Sequence, residues 1–555
     1  MPELDLSELN IVISVLGAFL ILYSIVSSKI KNAWYLGEAC KFQIKNTANS
    51  AHPVIKVPAT VIGIILGPVA AKFIDSTKWG AGEPDQQNSI TLGLCRVVIG
   101  IQLVMVGYQL PAKYQLMRWK EKVIGMLPVM TIMWLCTSAC IYATIPKLTL
   151  LSSLVIGSCV ACTDPILSQA IAKGPFADKY VPRHLREIIS SEAGANDSFA
   201  FPSLMLATFL IRHAAAPGDG EANRAEEGQL AERAEEVGRI GGGVGVALQM
   251  WVVETWLYTV FLGIAYGIIV GKWIENETLF LFPTIIGLFI VGTCGAIGTD
   301  DLLACFAAGN ALNWNGLYLE ETEARRDEVN SSIRGLLNFG AFMYIGSILP
   351  WSQFNAPQVT GITYSRLFGL GFLVLIFRRI PATVASYKLL PKVCSNAKEA
   401  LFMGYFGPIG IGGIFFAEHA RHLFPELGEG DEEESNLIAA LAPTVYWLVL
   451  FSIVVHGLSV PALDYIYRRL GVPTIQDDPI EIMPFSKNSP FPRNSEYLDS
   501  RQTIVVYNRF SRGKFDEKQV QNFSWVGTSE RKSSLSDDEE SLKGGEVKCE
   551  AKEMV

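Results

Sequence analysis

Long apolar runs, separated by short polar segments, fill most of the chain as far as Leu470. A helix needs about 20 mainly apolar residues to cross the hydrocarbon core of a membrane. Thirteen segments fit this length, and twelve is the alternative because the Asp300 segment is short and opens with two acids. The segments begin near Ile11, Val57, Ile90, Val123, Leu148, Glu187, Met250, Leu279, Asp300, Ile333, Tyr364, Ala400 and Leu437. We therefore expect an all-α polytopic membrane domain over residues 1–470.

The composition agrees with a membrane protein and argues against a nucleic-acid partner. Apolar residues make up 50% of the chain and charged residues 18%, against about 25% charged residues in soluble domains. The net charge is −8, whereas nucleic-acid binding requires a basic surface. Cys95, Cys136 and Cys305 stand singly in apolar runs, which indicates packing rather than metal binding. The sequence contains no nucleotide-binding loop, zinc spacing or nucleophile elbow, so neither an enzyme nor a cofactor is expected.

The acidic start MPELDLSELN is unlike a secretory signal, so the first apolar run is predicted to be a membrane helix. Clusters of Lys and Arg predict the orientation of the helices. With thirteen helices, all of the clusters lie on one side, which must be cytoplasmic together with the C-terminus. They lie at Lys29 and Lys31, at residues 113–122, 173–186 and 388–398, and at Arg468 and Arg469. The longest exterior loop, residues 214–248, is expected to lack a fixed fold.

Residues 471–555 form a polar segment, which we expect to be a cytoplasmic, largely disordered tail. Ser536 precedes four acids and resembles an acidic-directed kinase site, although a solvated charge run explains the pattern equally well. Phosphorylation of the tail and binding of regulators therefore both stay open. The segment TIVVYNRF, residues 503–510, is apolar enough to dock against the helices or the membrane surface.

The segment SCVACTDPILSQ places Asp164 deep within an apolar run, beside Thr163 and before Pro165. A buried acid costs roughly 2.5 to 3.5 kcal/mol even on a lenient insertion scale. Proline removes a backbone donor and frees local carbonyl groups, and oxygen ligands of this kind suit a hard cation. The alternative is a proline kink whose acid only caps a half-helix.

A second polar cluster, EIISSEAGAND, places Glu192 and Asn196 on one helix face and Asp197 on a neighbouring stripe. Two acids this close in a membrane helix require a cation, a proton or an arginine. Arg378 and Arg379 lie near the middle of another apolar run and supply that arginine. Pairing with Glu192 would leave Asp164 and Asp197 to exchange protons for a cation. Alternatively, the helix ends at Pro381 and both arginines extend to the cytoplasmic interface.

The segment FGPIGIGG makes a continuous helix unfavourable, because Gly407, Pro408, Gly410, Gly412 and Gly413 follow one another closely. It lies in the twelfth apolar segment, and the TDP triplet lies in the fifth. The two interruptions therefore occupy matching positions if the protein is built from two repeats offset by seven helices. Paired interruptions of this kind point to a transport site between inverted repeats.

Three further polar residues have open interpretations. Asp300 and Asp301 either cap a helix N-terminus, where the helix dipole favours acids, or line a cation pathway. His419, beside Glu418, is a candidate proton relay. The alternative is that this pair simply marks the end of a helix.

These motifs together resemble the fungal plasma-membrane alkali-cation/proton antiporters of the monovalent cation/proton antiporter superfamily. The resemblance extends from about Ile11 to Leu470. It is carried by WYLGEA, TDP, KYVPRHLR, EAGAND, GTDDLLACFAAGN, FRRIP and FGPIGIGG. It implies a thirteen-helix inverted-repeat fold with crossed broken helices, and exchange of cytoplasmic Na⁺, Li⁺ or K⁺ for external H⁺ at the plasma membrane, giving salt tolerance.

The resemblance also implies site residues and partners. Cations and protons are expected at Thr163, Asp164, Asn196 and Asp197, with Glu192 held by an arginine. Arg378 is favoured for that pair, and Arg379 is the alternative. The other expected partners are the lipid bilayer and a second copy of the chain in a homodimer. Rival functions are a K⁺/H⁺ exchanger of an internal membrane, a cation channel, and a sensor whose helices only position the tail.

The chain departs from the family pattern at two places. Ala193 stands where many relatives have serine, which removes one hydroxyl ligand and leaves cation preference open. Residues 40–56, CKFQIKNTANSAHPVIK, add a polar run between WYLGEA and the second helix. Our hypothesis is that part of this run is a translated intron. Sequencing of the transcript tests this hypothesis. If every mature messenger RNA retains the whole segment, the hypothesis is contradicted.

Overall fold

The computed structural model of the protein describes residues 52–74, 84–165, 167–168, 175–213, 240–273, 282–324, 328–390, 393–394, 396–473, 479–484, 495–498 and 503–507. The predicted first helix at Ile11, the WYLGEA motif and the acidic run after Ser536 lie outside these residues, as do residues 214–239 of the longest loop. Of the polar run 40–56, only residues 52–56 are described, at the start of a helix.

Helices make up nearly all of the described chain as far as Arg469. In chain order they are α1 His52–Leu66, α2 Pro84–Tyr108, α3 Tyr114–Met117, α4 Trp119–Ile124, α5 Met130–Thr144, α6 Leu150–Cys159, α7 Pro175–Tyr180, α8 Arg183–Arg212, α9 Gly243–Met250, α10 Leu262–Trp273, α11 Phe282–Ile297, α12 Asp301–Leu312, α13 Leu317–Ala324, α14 Glu328–Ser347, α15 Tyr364–Phe377, α16 Ile380–Ser386, α17 Ala397–Tyr405, α18 Ile411–Arg421 and α19 Glu432–Arg469. Two π-helical segments, Gly125–Val129 and Trp251–Phe261, join α4 to α5 and α9 to α10. Two short 3₁₀ turns lie at Gln353–Asn355 and Tyr387–Leu389.

Each apolar segment predicted from Val57 onward contains a helix. Within the described residues, five helical stretches are long and apolar enough to cross a membrane. They are Gln86–Tyr108, Trp119–Thr144, Gly243–Trp273, Tyr364–Leu389 and Glu432–Arg469. The short Asp300 segment also forms a helix, α12, whose buried face packs on α2 and α10. The predicted all-α polytopic fold is confirmed.

Two helices are interrupted where the sequence predicts an interruption. Residues 160–164 separate α6 from a helical turn that resumes at Pro165, and residues 406–410 separate α17 from α18. A third interruption, at Arg378 and Arg379, separates α15 from α16. The first two interruptions, hereafter the first and second breaks, meet in the interior of the protein, where Asp164 N–H donates to Pro408 O over 2.8 Å.

The part of the tail that is described contains a small sheet that the sequence analysis does not predict. Its strands are β1 Pro479–Pro484, β2 Ser495–Leu498 and β3 Thr503–Tyr507, in the order β1-β3-β2. Both neighbours pair with β3 in antiparallel fashion. The apolar segment TIVVYNRF thus supplies the central strand, and its docking against the helices or the membrane stays a prediction.

Candidate functional site

The Asp164 carboxylate lies between the helical turn that begins at Pro165 and the N-terminus of α18. Its Oδ1 accepts a hydrogen bond from Leu167 N–H over 2.7 Å, and its Oδ2 accepts one from Ile411 N–H over 3.0 Å. The first bond caps the half-helix that follows Pro165, as one of the two sequence interpretations predicts. The second bond joins the carboxylate to α18, across the second break. Backbone donors at helix N-termini stabilise a negative charge at this position.

Arg378 donates hydrogen bonds to backbone carbonyls of both breaks. Its Nη1 donates to the carbonyl oxygens of Val160 at 2.5 Å and Cys162 at 3.0 Å, and its Nη2 donates to Gly407 O. Breaking a helix leaves carbonyl groups without their usual partners, and a buried carbonyl without a donor costs free energy. The planar guanidinium presents several donors in a fixed fork and satisfies three such carbonyls at once.

Glu192 pairs with Arg379, not with Arg378. Arg379 Nη2 lies 2.9 Å from Glu192 Oε2, and both side chains are almost completely buried. The favoured pairing of Glu192 with Arg378 is therefore wrong, and its alternative is correct. The expectation that both arginines extend to the interface is also wrong, because each is only 3% exposed. The interruption between α15 and α16 turns the two neighbouring arginines toward different partners.

Asn196 links α8 to the first break. Thr163 N–H donates to Asn196 Oδ1 over 3.1 Å, and Asn196 Nδ2 donates to Thr163 Oγ1 over 2.7 Å. Both side chains are buried. The structure therefore brings together Thr163, Asp164 and Asn196, which the sequence analysis grouped as one site.

Asp197 is the exceptional member of this group. It is fully buried, and neither carboxylate oxygen has a hydrogen-bond partner among the described residues. Burial of a carboxylate without partners is costly. Its neighbour across the site is the first turn of α18, at Gly412. Asp164 meets the same turn at Ile411, so both acids lie against the start of one half-helix.

The accessory candidates lie elsewhere. Asp300 caps α12, because its Oδ1 accepts from Leu303 N–H over 2.9 Å. Asp301 pairs with Arg96, whose Nε lies 2.8 Å from its Oδ2. The capping interpretation thus holds for Asp300. A role of either acid in a cation pathway stays a prediction.

Glu418 and His419 occupy the last turn of α18, which agrees with the interpretation that this pair marks a helix end. Their side chains face different neighbours. Glu418 Oε1 accepts from the Tyr446 hydroxyl over 2.8 Å, whereas the His419 ring stacks on Phe415. A proton relay through His419 stays a prediction.

Sequence reasoning missed two polar residues on α19 that support the second break. Ser452 Oγ accepts from Ile409 N–H over 2.7 Å and lies 3.1 Å from His456 Nδ1. His456 Nε2 lies 3.0 Å from Tyr405 O. His456 Nδ1 also lies 3.0 Å from Ser452 O. Each ring nitrogen therefore faces a backbone carbonyl, and the imidazole donates to the carbonyl that faces its protonated nitrogen. An imidazole in the middle of an apolar helix is the signal that would have found it.

Residues 52–463 match the family described as "Sodium/hydrogen exchanger, transmembrane". The chain belongs to this sodium/hydrogen exchanger family. The matched region contains both breaks, the two arginines and all four predicted cation-site residues. The protein is therefore a multi-pass membrane protein, as the apolar helices also indicate.

Curated fungal members of the exchanger family are similar over most of the chain. The "Na(+)/H(+) antiporter" of Saccharomyces cerevisiae is 33% identical over 498 residues, which cover 85% of this chain and 45% of that protein. The "Na(+)/H(+) antiporter 2" of Zygosaccharomyces rouxii is 30% identical over 88% of this chain and 56% of that protein. A "Na(+)/H(+) antiporter" of Schizosaccharomyces pombe is 29% identical over 83% of this chain and 91% of that protein. The chain thus spans about half the length of the first two relatives.

A solved exchanger structure has the same fold. The sodium proton antiporter from Methanocaldococcus jannaschii matches with a TM-score of 0.50 over 81% of this chain and 100% of that chain. The sequences are 15% identical, so the likeness concerns the fold alone. It agrees with the predicted antiporter architecture in which two broken helices cross.

Proposed function

We propose that this exchanger-family protein is a secondary active antiporter that moves alkali cations out of the cytoplasm in exchange for external H⁺. The single observation that carries the proposal is the buried Asp197 carboxylate, whose oxygens both lack a hydrogen-bond partner among the described residues. A bound proton or a bound cation neutralises such a group, and one carboxylate that accepts either ion but not both provides the coupling.

The surroundings of Asp197 suit a small hard cation. Thr163, Asp164 and Asn196 supply hydroxyl, carboxylate and amide oxygens at the crossing, and oxygen ligands are the ones that hard cations prefer. In the proposal, Asp197 exchanges the proton, while Asp164 remains a fixed anion bound by two backbone N–H groups. Glu192 takes no part in coordination, because Arg379 neutralises it.

The names of the fungal relatives support Na⁺ and H⁺ as the transported ions. We extend the proposal to Li⁺ and K⁺, to a plasma-membrane location with a cytoplasmic C-terminus, to a homodimer, and to a role in salt tolerance. The resemblance to the fungal antiporters supports the cations, the location, the homodimer and the salt tolerance, and the distribution of Lys and Arg between loops supports the cytoplasmic C-terminus.

Reconstituted vesicles test the proposal. Purified protein in vesicles with an imposed pH gradient should dissipate that gradient when Na⁺, Li⁺ or K⁺ is added outside, and the Asp197→Asn variant should not. Cation flux without proton movement would favour a channel. Exchange of K⁺ alone, together with an internal location of the tagged protein, would favour the rival internal-membrane exchanger. Gradients that persist with every cation contradict the proposed function.

A further inference from the structure

The first turn of α18 approaches the two site carboxylates so closely that side chains are excluded there. A Cβ atom on Gly412 would lie 2.4 Å from Asp197 Oδ1. A Cβ atom on Gly410 would lie 1.7 Å from Asp164 Oδ2. Carbon and oxygen atoms in contact are normally well over 3 Å apart. Bare backbone therefore forms one wall of the site at both positions.

The third glycine of this turn has a different environment. A Cβ atom on Gly413 would lie 3.2 Å from the Ile409 side chain and 3.3 Å from the Val449 side chain, which are tight but apolar contacts. The glycines of GIGG thus differ in function, although helix packing alone predicts the same role for all three.

Gly410 and Gly412 also differ from each other. Asp164, which faces Gly410, is fixed by the N–H groups of Leu167 and Ile411. Asp197, which faces Gly412, has no such restraint among the described residues. Gly412 is the residue of α18 that the Asp197 carboxylate approaches, so this contact limits how far the carboxylate can lie toward α18.

We propose that Gly412 is a specificity-determining residue, which leaves the Asp197 carboxylate enough room to bind the larger alkali cations. This inference rests on the proposed function. An added methyl group displaces the carboxylate into the space that the cation occupies. K⁺ requires longer distances to its oxygen ligands than Na⁺, and Na⁺ longer distances than Li⁺, so the loss should increase with cation radius.

The test compares Gly412→Ala with Gly413→Ala in reconstituted vesicles, with Li⁺, Na⁺ and K⁺ each measured separately. Gly412→Ala should lower the ratio of K⁺ to Li⁺ exchange by about tenfold, the low end of what one misplaced methyl group costs in a closed pocket. Gly413→Ala introduces the same methyl group one residue away and should leave the ratio at the wild-type value.

An equal loss of exchange for all three cations in Gly412→Ala, or the same change of ratio in Gly413→Ala, overturns the inference. If Gly412→Ala fails to fold, Asp197→Glu fills the same space from the opposite side and should change the ratio in the same direction. An unchanged ratio in that variant also overturns it. Wild-type protein that exchanges no cation contradicts the proposed function instead, so the two failures are distinguishable.

Discussion

Arg379 and Glu192 form a buried ion pair between the interruption after α15 and helix α8, with Nη2 and Oε2 2.9 Å apart. The neighbouring Arg378 makes no such pair with the residues that the structure describes and binds backbone carbonyls of both breaks instead. Two adjacent arginines thus have separate tasks. One neutralises an acid on the helix that carries Asp197, and the other stabilises the crossing itself.

Neutralising Arg379 alone should destabilise the protein more than neutralising both members of the pair. Arg379→Gln leaves a buried carboxylate unpaired, which costs about 3–5 kcal/mol, whereas the double variant with Glu192→Gln leaves no buried charge. A double-mutant cycle on unfolding free energies of the purified protein measures the coupling. The same cycle with Arg378→Gln is the control and should give near-additive effects. Additivity in the Arg379 cycle would contradict the ion pair.

Replacing Arg378 with lysine should destabilise the protein. A lysine ammonium is a compact charge that cannot span carbonyls on two separate breaks, so at least one carbonyl loses its donor. We expect Arg378→Lys to lower the unfolding free energy by about 1.5–3 kcal/mol, the worth of one charged hydrogen bond. Arg366→Lys is the matched control, since the exposed Arg366 donates to a single carbonyl within the described part of the chain, Thr144 O. Equal stability of the two variants would exclude the bridging role.

The two site aspartates should respond differently to replacement by asparagine. Asp197→Asn removes an unpartnered buried charge, so it should abolish exchange while the thermal stability stays equal or rises. Both oxygens of Asp164 accept hydrogen bonds from backbone N–H groups. Asp164→Asn keeps one accepting oxygen and replaces the other with an NH₂ group, which cannot accept. It should therefore abolish exchange and lower the melting temperature. Measurements of both quantities on purified variants separate the two roles, and a melting temperature that falls equally in both would contradict them.

Acidification of the cytoplasm should weaken cation binding. Protons and cations compete for the same carboxylate, and its protonated form does not hold the cation. Below the carboxylate pKa, the apparent cation affinity should fall close to tenfold per pH unit if one proton is exchanged, which corresponds to about 1.4 kcal/mol. The apparent cation constant, measured on vesicles at several pH values, tests this. If the apparent cation constant does not change with pH while the maximal rate does, a separate proton sensor is indicated.

The sequence predicts the site in part, for reasons that particular residues make clear. Asp164 and Asp197 are conspicuous because a carboxylate in an apolar run is costly. The second break is conspicuous because Gly407, Pro408 and Gly410 disfavour a helix. The choice between Arg378 and Arg379 was not predictable, since it depends on how the chain turns between α15 and α16.

Other features depend on contacts that the local sequence does not specify. His456 is a conspicuous imidazole in an apolar helix of 38 residues, but its contact with Tyr405 O lies on another segment of the chain. The sheet of the tail also escaped prediction, because its strands of four to six residues are embedded in a polar segment. Contacts between residues that are distant in the sequence determine both features, and the hydropathy pattern does not reveal such contacts.

The Arg378 guanidinium couples the two breaks mechanically. Since one planar group bonds carbonyls of both, displacing either break alone would cost at least one of these hydrogen bonds, so the exchange that we propose should move the two breaks together. In that proposed exchange, exposure of Asp197 first to one side of the membrane and then to the other requires movement at surfaces where these elements contact their neighbours. Gly194 of α8 lies on such a surface, pressed against Phe306 of α12 and Val106 of α2. A Cβ atom on Gly194 would lie 2.5 Å from the Phe306 ring, so the absence of a side chain lets α8 pack this closely against both neighbours.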